Sequence, residues 1–205
     1  MSISSLSRFT VPLASDQSAS NQGMLMPKLK ARFRIMFENF GVSTPTTELT
    51  KNVVSGARPN VQMANQVIDS YNSKVNLAGK PTWQAFTIKL RDDVTGAVSK
   101  LVGEQIQKQF DFEEQSSAAA GGNYKFTVAI EILDGGNGIN TANVLERWEC
   151  YGCYVTTANY NSLSYSEQGY ADIDITIQPD NCIQTNTGVT PASSQRGTAA
   201  TSAGK

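Results

Sequence analysis

The sequence predicts a mainly β fold with one α-helix: an antiparallel β-barrel or sandwich with the helix packed outside. Three observations predict it. Several segments alternate apolar and polar residues with a period of two. One segment, residues 94–110, instead repeats apolar residues at three- and four-residue spacing. Charged residues make up only 17% of the 205-residue chain, below the usual share of roughly a quarter. Ser, Thr, Asn, Gln and Gly fill the surface instead, as they do in many β-rich proteins.

The elements follow in order. Residues 1–26 are small and polar and are expected to form an N-terminal arm. Residues 27–182 are expected to form one domain. Its first strand is residues 29–37, with Ala31, Phe33, Ile35 and Phe37 on one face and Arg32 and Arg34 on the other. Residues 49–56 and 60–68 are weaker strand candidates, split by Ala57-Arg58-Pro59. In the second, Val61, Met63 and Val67 face away from Gln62, Ala64 and Gln66. Lys74 to Lys80 reads as a long polar loop. Residues 83–91 alternate again, Phe86, Ile88 and Leu90 against Thr87, Lys89 and Arg91.

A helix is expected next, capped by Asp92 or Asp93. Its apolar stripe is Val94, Ala97, Val98, Leu101, Val102, Ile106 and Phe110. Laid on a sheet at roughly 25 cal/mol per Å² of apolar surface, such a stripe contributes several kcal/mol. Residues 125–133 form the cleanest strand, with Phe126, Val128, Ile130 and Ile132 on one face. Asp134-Gly135-Gly136-Asn137-Gly138 reads as a turn rather than a phosphate loop, because no Lys-[Ser/Thr] and no capped helix follow it. Residues 144–157 are β-rich, broken near Gly152. Residues 170–178 close the domain, with Ala171, Ile173, Ile175 and Ile177 facing away from Asp172, Asp174, Thr176 and Gln178. The Ser/Thr/Ala/Gly-rich residues 183–205 read as a C-terminal tail.

Composition argues against chemistry. The chain has no His, which removes Ser-His-Asp and Cys-His nucleophiles, His-ligated zinc and the commonest general base near neutral pH. Lys and Arg number 17 against 18 Asp and Glu, so there is no cationic excess to hold nucleic acid. No run of roughly 18 apolar residues points to a transmembrane helix, and the N-terminus does not read as a secretory signal. The expectation is a protein without catalytic residues, metal or cofactor.

Cys150-Tyr151-Gly152-Cys153 is a CxxC. A zinc site needs four ligands, and only Cys182 remains to join this pair. A redox motif belongs at a helix N-terminus, whereas this one lies in a β-rich, aromatic segment. The three cysteines read as structural or free thiols, or as members of a disulfide within or between subunits. In a regular strand Cys150 and Cys153 point to opposite faces. That disfavours their pairing and leaves one of them for Cys182 or a neighbour. Asp172 and Asp174 read as a solvated strand face or as the lining of a wet channel. Tyr151, Tyr154, Tyr160, Tyr165 and Tyr170 are dense enough for a subunit interface, or for stacking on bases or sugars.

The order of these elements resembles the tail tube family of contractile-tailed bacteriophages. The segment Lys74-Val75-Asn76-Leu77-Ala78-Gly79 leading to Thr82-Trp83 carries the most specific part of the likeness. Leu145-Glu146-Arg147-Trp148-Glu149-Cys150-Tyr151-Gly152-Cys153-Tyr154-Val155 resembles the family's strand and apolar-Gly-aromatic turn. The resemblance covers residues 28–180; the long arms and the cysteines depart from it.

The resemblance implies a subunit, commonly of a hexameric ring, whose sheets join around a lumen. Rings would stack into a tube inside a sheath, hold a tape measure protein and pass double-stranded DNA without tight binding. Such a protein belongs to the virion, is assembled in the host cytoplasm and inserts into no membrane. Gln62, Gln66, Asp172, Asp174 and Gln178 are the candidate lumen-lining residues, and Lys74, Val75, Asn76, Leu77 and Lys80 the candidate subunit contacts. A related contractile injection device shares these expectations. A glycan-binding or capsid-decorating β-sandwich is the alternative of a different class.

Overall fold

The computed structural model describes residues 28–43, 46–134, 142–166 and 168–185. The N-terminal arm, the glycines of the 134–138 turn and nearly all of the C-terminal tail lie outside the described residues. Of the first unit, residues 1–32, only a short turn is described, in which the Arg32 N–H donates to the Leu29 carbonyl at 3.2 Å.

The second unit, Phe33–Lys205, carries the fold. It begins with β1, Phe33–Glu38, where Ile35 and Phe37 are buried as the alternation requires. The expected strand at 49–56 is instead a short helix, α1 (Thr47–Asn52), followed by β2 (Val53–Gly56). Glu48 in the first turn and Lys51 in the last suit a helix dipole, and Leu49 is the one residue α1 buries. Next come β3, Val61–Ser70, and β4, Ser73–Trp83. The expected polar loop at 74–80 is therefore a strand. Tyr71, at φ 50°, helps make the tight turn that joins it to β3.

β5, Phe86–Arg91, leads to α2, Ala97–Gln109. The Asp93 carboxylate accepts the Ala97 N–H at 3.1 Å and the Thr95 hydroxyl at 2.8 Å, so the expected acidic residue does hold the helix start. The helix is shorter than its stripe suggested. Val94 is exposed ahead of it, and Phe110 belongs to β6, Phe110–Asp111, which pairs with β7, Ser116–Ser117. β8 (Phe126–Leu133), β9 (Val144–Asn159), β10 (Asp172–Gln178) and β11 (Asn181–Thr185) complete the order. β11 runs past the expected end of the domain at 182.

All pairings are antiparallel. β9 is shared between two sheets. Its first half lies between β8 and β11, with β1 beyond β8. Its second half pairs with β10, which is followed by β5 and then β2. The inner faces meet in one core. Ile35, Phe37, Phe126, Val128 and Ile130 come from the first sheet, and Phe86, Ile88, Leu90, Ile173, Ile175 and Ile177 from the second. Val98, Leu101 and Val102 of α2 complete it. Phe40 stacks edge-on against Phe37 at 5.3 Å and Phe126 at 4.8 Å between ring centroids. Buried Gln105 of α2 is satisfied at both ends: its carbonyl accepts the Gly41 N–H at 3.0 Å, and its amide donates to the Tyr124 carbonyl at 2.7 Å.

Gly152 makes the bend in β9. It sits at φ 65°, a left-handed conformation that favours glycine. The register shows the resulting bulge, with Phe126 facing Cys153 and Val128 facing Cys150. Two steps on β8 thus match three on β9. Cys150 and Cys153 consequently share the core face, contrary to the regular-strand expectation.

Candidate assembly surfaces

The β3–β4 hairpin does not join either sheet. Every residue of β3 is exposed, as is every residue of β4 except Gly79 and Trp83. An isolated two-stranded hairpin is marginal in water, so its base must be held. The Trp83 indole N–H donates to Asn181 at 3.2 Å and its ring meets Trp148 edge-on at 6.4 Å. The Gln178 amide donates to the Trp83 carbonyl at 2.8 Å, and Gln84 N–H to the Asn60 carbonyl at 2.9 Å. Trp148 in turn donates to Glu146 at 2.6 Å, and Arg58 pairs with that carboxylate at 3.5 Å.

Beyond this anchor a bulge shifts the register between Met63 and Asn65. Gly79 lies there, and a side chain on it would press the Ala64 carbonyl at 2.9 Å. The outer half has two unlike faces. Ile68, Val75 and Leu77 lie together on one, with Ile68 directly opposite Val75. On the other, Asn65 bonds Asn76 at 3.2 Å and Lys74 pairs with Asp69 at 3.6 Å. The five candidate contact residues, Lys74, Val75, Asn76, Leu77 and Lys80, all lie on this strand pair.

The second sheet presents a polar outer face. β10 contributes Asp172, Asp174, Thr176 and Gln178, and β5 contributes Thr87, Lys89 and Arg91 as facing partners. Lys89 forms an ion pair with Asp172, and each holds the other charged: Asp172 titrates below its usual range and Lys89 above its own. Asn161 donates to Asp172 at 3.0 Å and to Asp174 at 3.2 Å. Arg91 lies over the Tyr170 ring at 4.8 Å. The candidate lining residues thus fall into two groups. Asp172, Asp174 and Gln178 share this face, while Gln62 and Gln66 belong to the hairpin.

The same sheet ends in two strand edges without a strand partner among the described residues. One is β2. The other is the second half of β9, where a single side chain stands in for a strand. Gln109 accepts the Val155 N–H at 2.9 Å and donates to the Val155 carbonyl at 2.9 Å. Past Val155 that edge is open, and an exposed aromatic pair, Phe110 and Phe112 with ring centroids 5.3 Å apart, stands beside it. Sequence reasoning missed Gln105 and Gln109. Both continue the helical spacing of Val98, Leu101 and Val102, which was the available signal.

The outer face of the first sheet is locked. Glu131 is buried there between two arginines, accepting from Arg34 at 2.8 and 2.6 Å and from Arg147 at 2.8 Å. Arg147 continues to Glu149 at 2.7 Å. A cavity of about 320 Å³ is lined by Tyr160, Asn161, Leu163, Tyr165 and Tyr170. Among the described residues no cluster of acidic and cysteine side chains fits a metal ion, and no helix is long and apolar enough to cross a membrane.

No protein-family model matches the chain, and no curated protein matches it. Solved structures do. A chain of the anti-feeding prophage baseplate, determined with sixfold symmetry, is 9% identical with a TM-score of 0.59, covering 81% of this chain and 100% of that one. The sheath/tube terminator of the PVC extracellular contractile injection system is 13% identical with a TM-score of 0.58, covering 80% and 99%. The extended sheath-tube complex of the same system gives 17% identity and a TM-score of 0.51, covering 84% and 100%. At these identities the likeness is one of architecture: this chain shares the fold of subunits found in contractile injection particles.

Proposed function

We propose that this chain is a structural subunit of the tube of a contractile particle, a bacteriophage tail or a related injection device. The observation that carries the reading is the four-stranded sheet with one buried face, one polar face and two edges without a strand partner among the described residues. Copies set side by side pair β2 of one with the second half of β9 of the next. Repetition closes a barrel and removes the exposed edges that would otherwise promote aggregation. Six copies per ring agree with the symmetry of the similar baseplate. The two-faced hairpin reaches a neighbouring subunit, with Val75, Leu77, Lys74, Asn76 and Lys80 as contacts.

The polar face then lines the channel, with Asp172, Asp174 and Gln178 on it and Gln62 and Gln66 at its margin. Lys89 and Arg91 are matched by Asp172 and Asp174, so phosphate meets no net positive ring and double-stranded DNA passes without capture. A tape measure protein occupies the channel before ejection, and a sheath surrounds the tube. No reaction is catalysed. The protein belongs to the particle and is assembled in the host cytoplasm. Among the similar structures with TM-scores above 0.5, two come from an extracellular contractile injection system and one from a prophage baseplate; the cargo distinguishes an injection device from a phage tail.

Negative-stain electron microscopy of the purified full chain tests the reading. Rings or stacked tubes are expected. Dispersed small particles at all concentrations and salts, with glycan bound at the Tyr160–Tyr170 cavity, would replace it with a binding module.

A further inference from the structure

Three thiols share one layer of the core. Cys150, Cys153 and Cys182 are all buried and free. Cys182 of β11 sits directly opposite Cys150 of β9. Facing residues of an antiparallel pair stand roughly 4.5–5.5 Å apart at Cα, inside the window of about 4.4–6.8 Å that a disulfide spans. Cys153 is engaged elsewhere, its thiol donating to the Cys150 carbonyl at 3.3 Å.

The closed fold keeps these thiols unreactive. Burial pushes the Cys153 thiol up to about 12, and the contact with Cys182 together with burial raises Cys150. The route to reaction is β11 itself. It is a five-residue edge strand whose one strand partner among the described residues is β9, and Cys182 is its one buried residue. Such strands open locally far more often than a sheet centre. Opening β11 exposes Cys182 and uncovers Cys150 together.

We propose that Cys150 and Cys182 are an oxidation site, closing a cross-strand disulfide that fastens β11 to β9. The oxidant is a small disulfide such as oxidised glutathione. The Cys182 thiolate attacks one glutathione sulfur, breaks its S–S bond and expels one glutathione thiolate. The Cys150 thiolate then attacks the Cys182 sulfur of the mixed disulfide and expels the second. Two protein thiols lose two protons and two electrons, and one oxidised glutathione becomes two reduced ones. Cys153 stays a thiol. The bond also braces the hairpin, because Asn181, next to Cys182, accepts the Trp83 indole N–H.

The test uses the full chain incubated with oxidised glutathione or with dithiothreitol. Non-reducing peptide mapping is expected to link Cys150 to Cys182, with the loss of two hydrogens from the intact mass. Closing a loop of about thirty residues should raise Tm by on the order of 5–10 °C. Cys153→Ala keeps the link, and Cys182→Ala abolishes it. A Cys150–Cys153 link would overturn the proposal. So would a mixed disulfide on Cys182 that never closes, or thiols that stay reduced while hydrogen exchange shows β11 opening.

Discussion

Replacing Ile68, Val75 and Leu77 together by serine should separate assembly from folding. The three side chains form the apolar face of the outer hairpin, and in the isolated chain they are 48%, 52% and 45% exposed. Full burial of such a side chain is worth about 1.5–3 kcal/mol, so covering the exposed half contributes roughly 0.7–1.5 kcal/mol each. Together that is about 2–4 kcal/mol per contact. At about 1.4 kcal/mol per tenfold, the variant should associate roughly thirty- to several-hundred-fold more weakly. The subunit itself should melt within about 2 °C of wild type, since none of the three touches the core. Sedimentation velocity gives the association and thermal melting gives the fold. A variant that forms the same assemblies at the same concentration would refute the hairpin as a contact. One that melts far lower would refute its independence from the core.

Other expectations concern the fold that holds these surfaces. The Ser43 hydroxyl and N–H, with the Val42 N–H, hold Glu104 down to about 2. A depressed carboxylate stabilises fully above its ordinary range near 4.5 and loses that contribution as pH falls toward about 2. Glu104→Gln should therefore cost about 1–2 kcal/mol at neutral pH, and urea titrations should show the gap closing in acid. Glu131→Gln leaves two guanidiniums poorly matched. Because Arg34 and Arg147 remain partly exposed, the loss should be about 2 kcal/mol, below the usual figure for a buried pair, read as a lower urea midpoint. Gly152→Ala forces a left-handed alanine whose methyl overlaps the Asp180 carboxylate. A loss of about 2–3 kcal/mol is expected, with Lys125 released from Asp180 as a check by NMR.

The legible strands were those with one dry and one wet face. Ile35 and Phe37 in β1, Phe86 to Leu90 in β5, Phe126 to Ile130 in β8 and Ile173 to Ile177 in β10 announced themselves through period two. β4 was hidden because both its faces are wet in the single chain. Val75 and Leu77 alternate with Asn76 and Ala78, but none of these residues joins the core. β11 was hidden for a related reason, since an edge strand with one buried residue has almost no pattern. The CxxC spacing misled because the register was assumed regular, and one left-handed glycine reset it. Of the proposed channel face, Asp172, Asp174 and Gln178 were readable from alternation alone. Their pairing with Lys89 was not, because register between strands some eighty residues apart is a property of the folded sheet.

The shared strand β9 also governs when the chain can fold during synthesis. Its first half is an inner strand of one sheet and its second half an edge strand of the other, yet it begins only at Val144. β1 must wait for β8, and β5 waits for β10 to cover its second edge. The residues before Val144 therefore leave the ribosome with neither core sheet complete, and long-range pairing of this kind is slow. When β9 arrives, both sheets close nearly together, so neither half should persist as a folded fragment. The second sheet thus presents both of its edges, β2 and the second half of β9, only once β9 and β10 have been made, late in the order of elements.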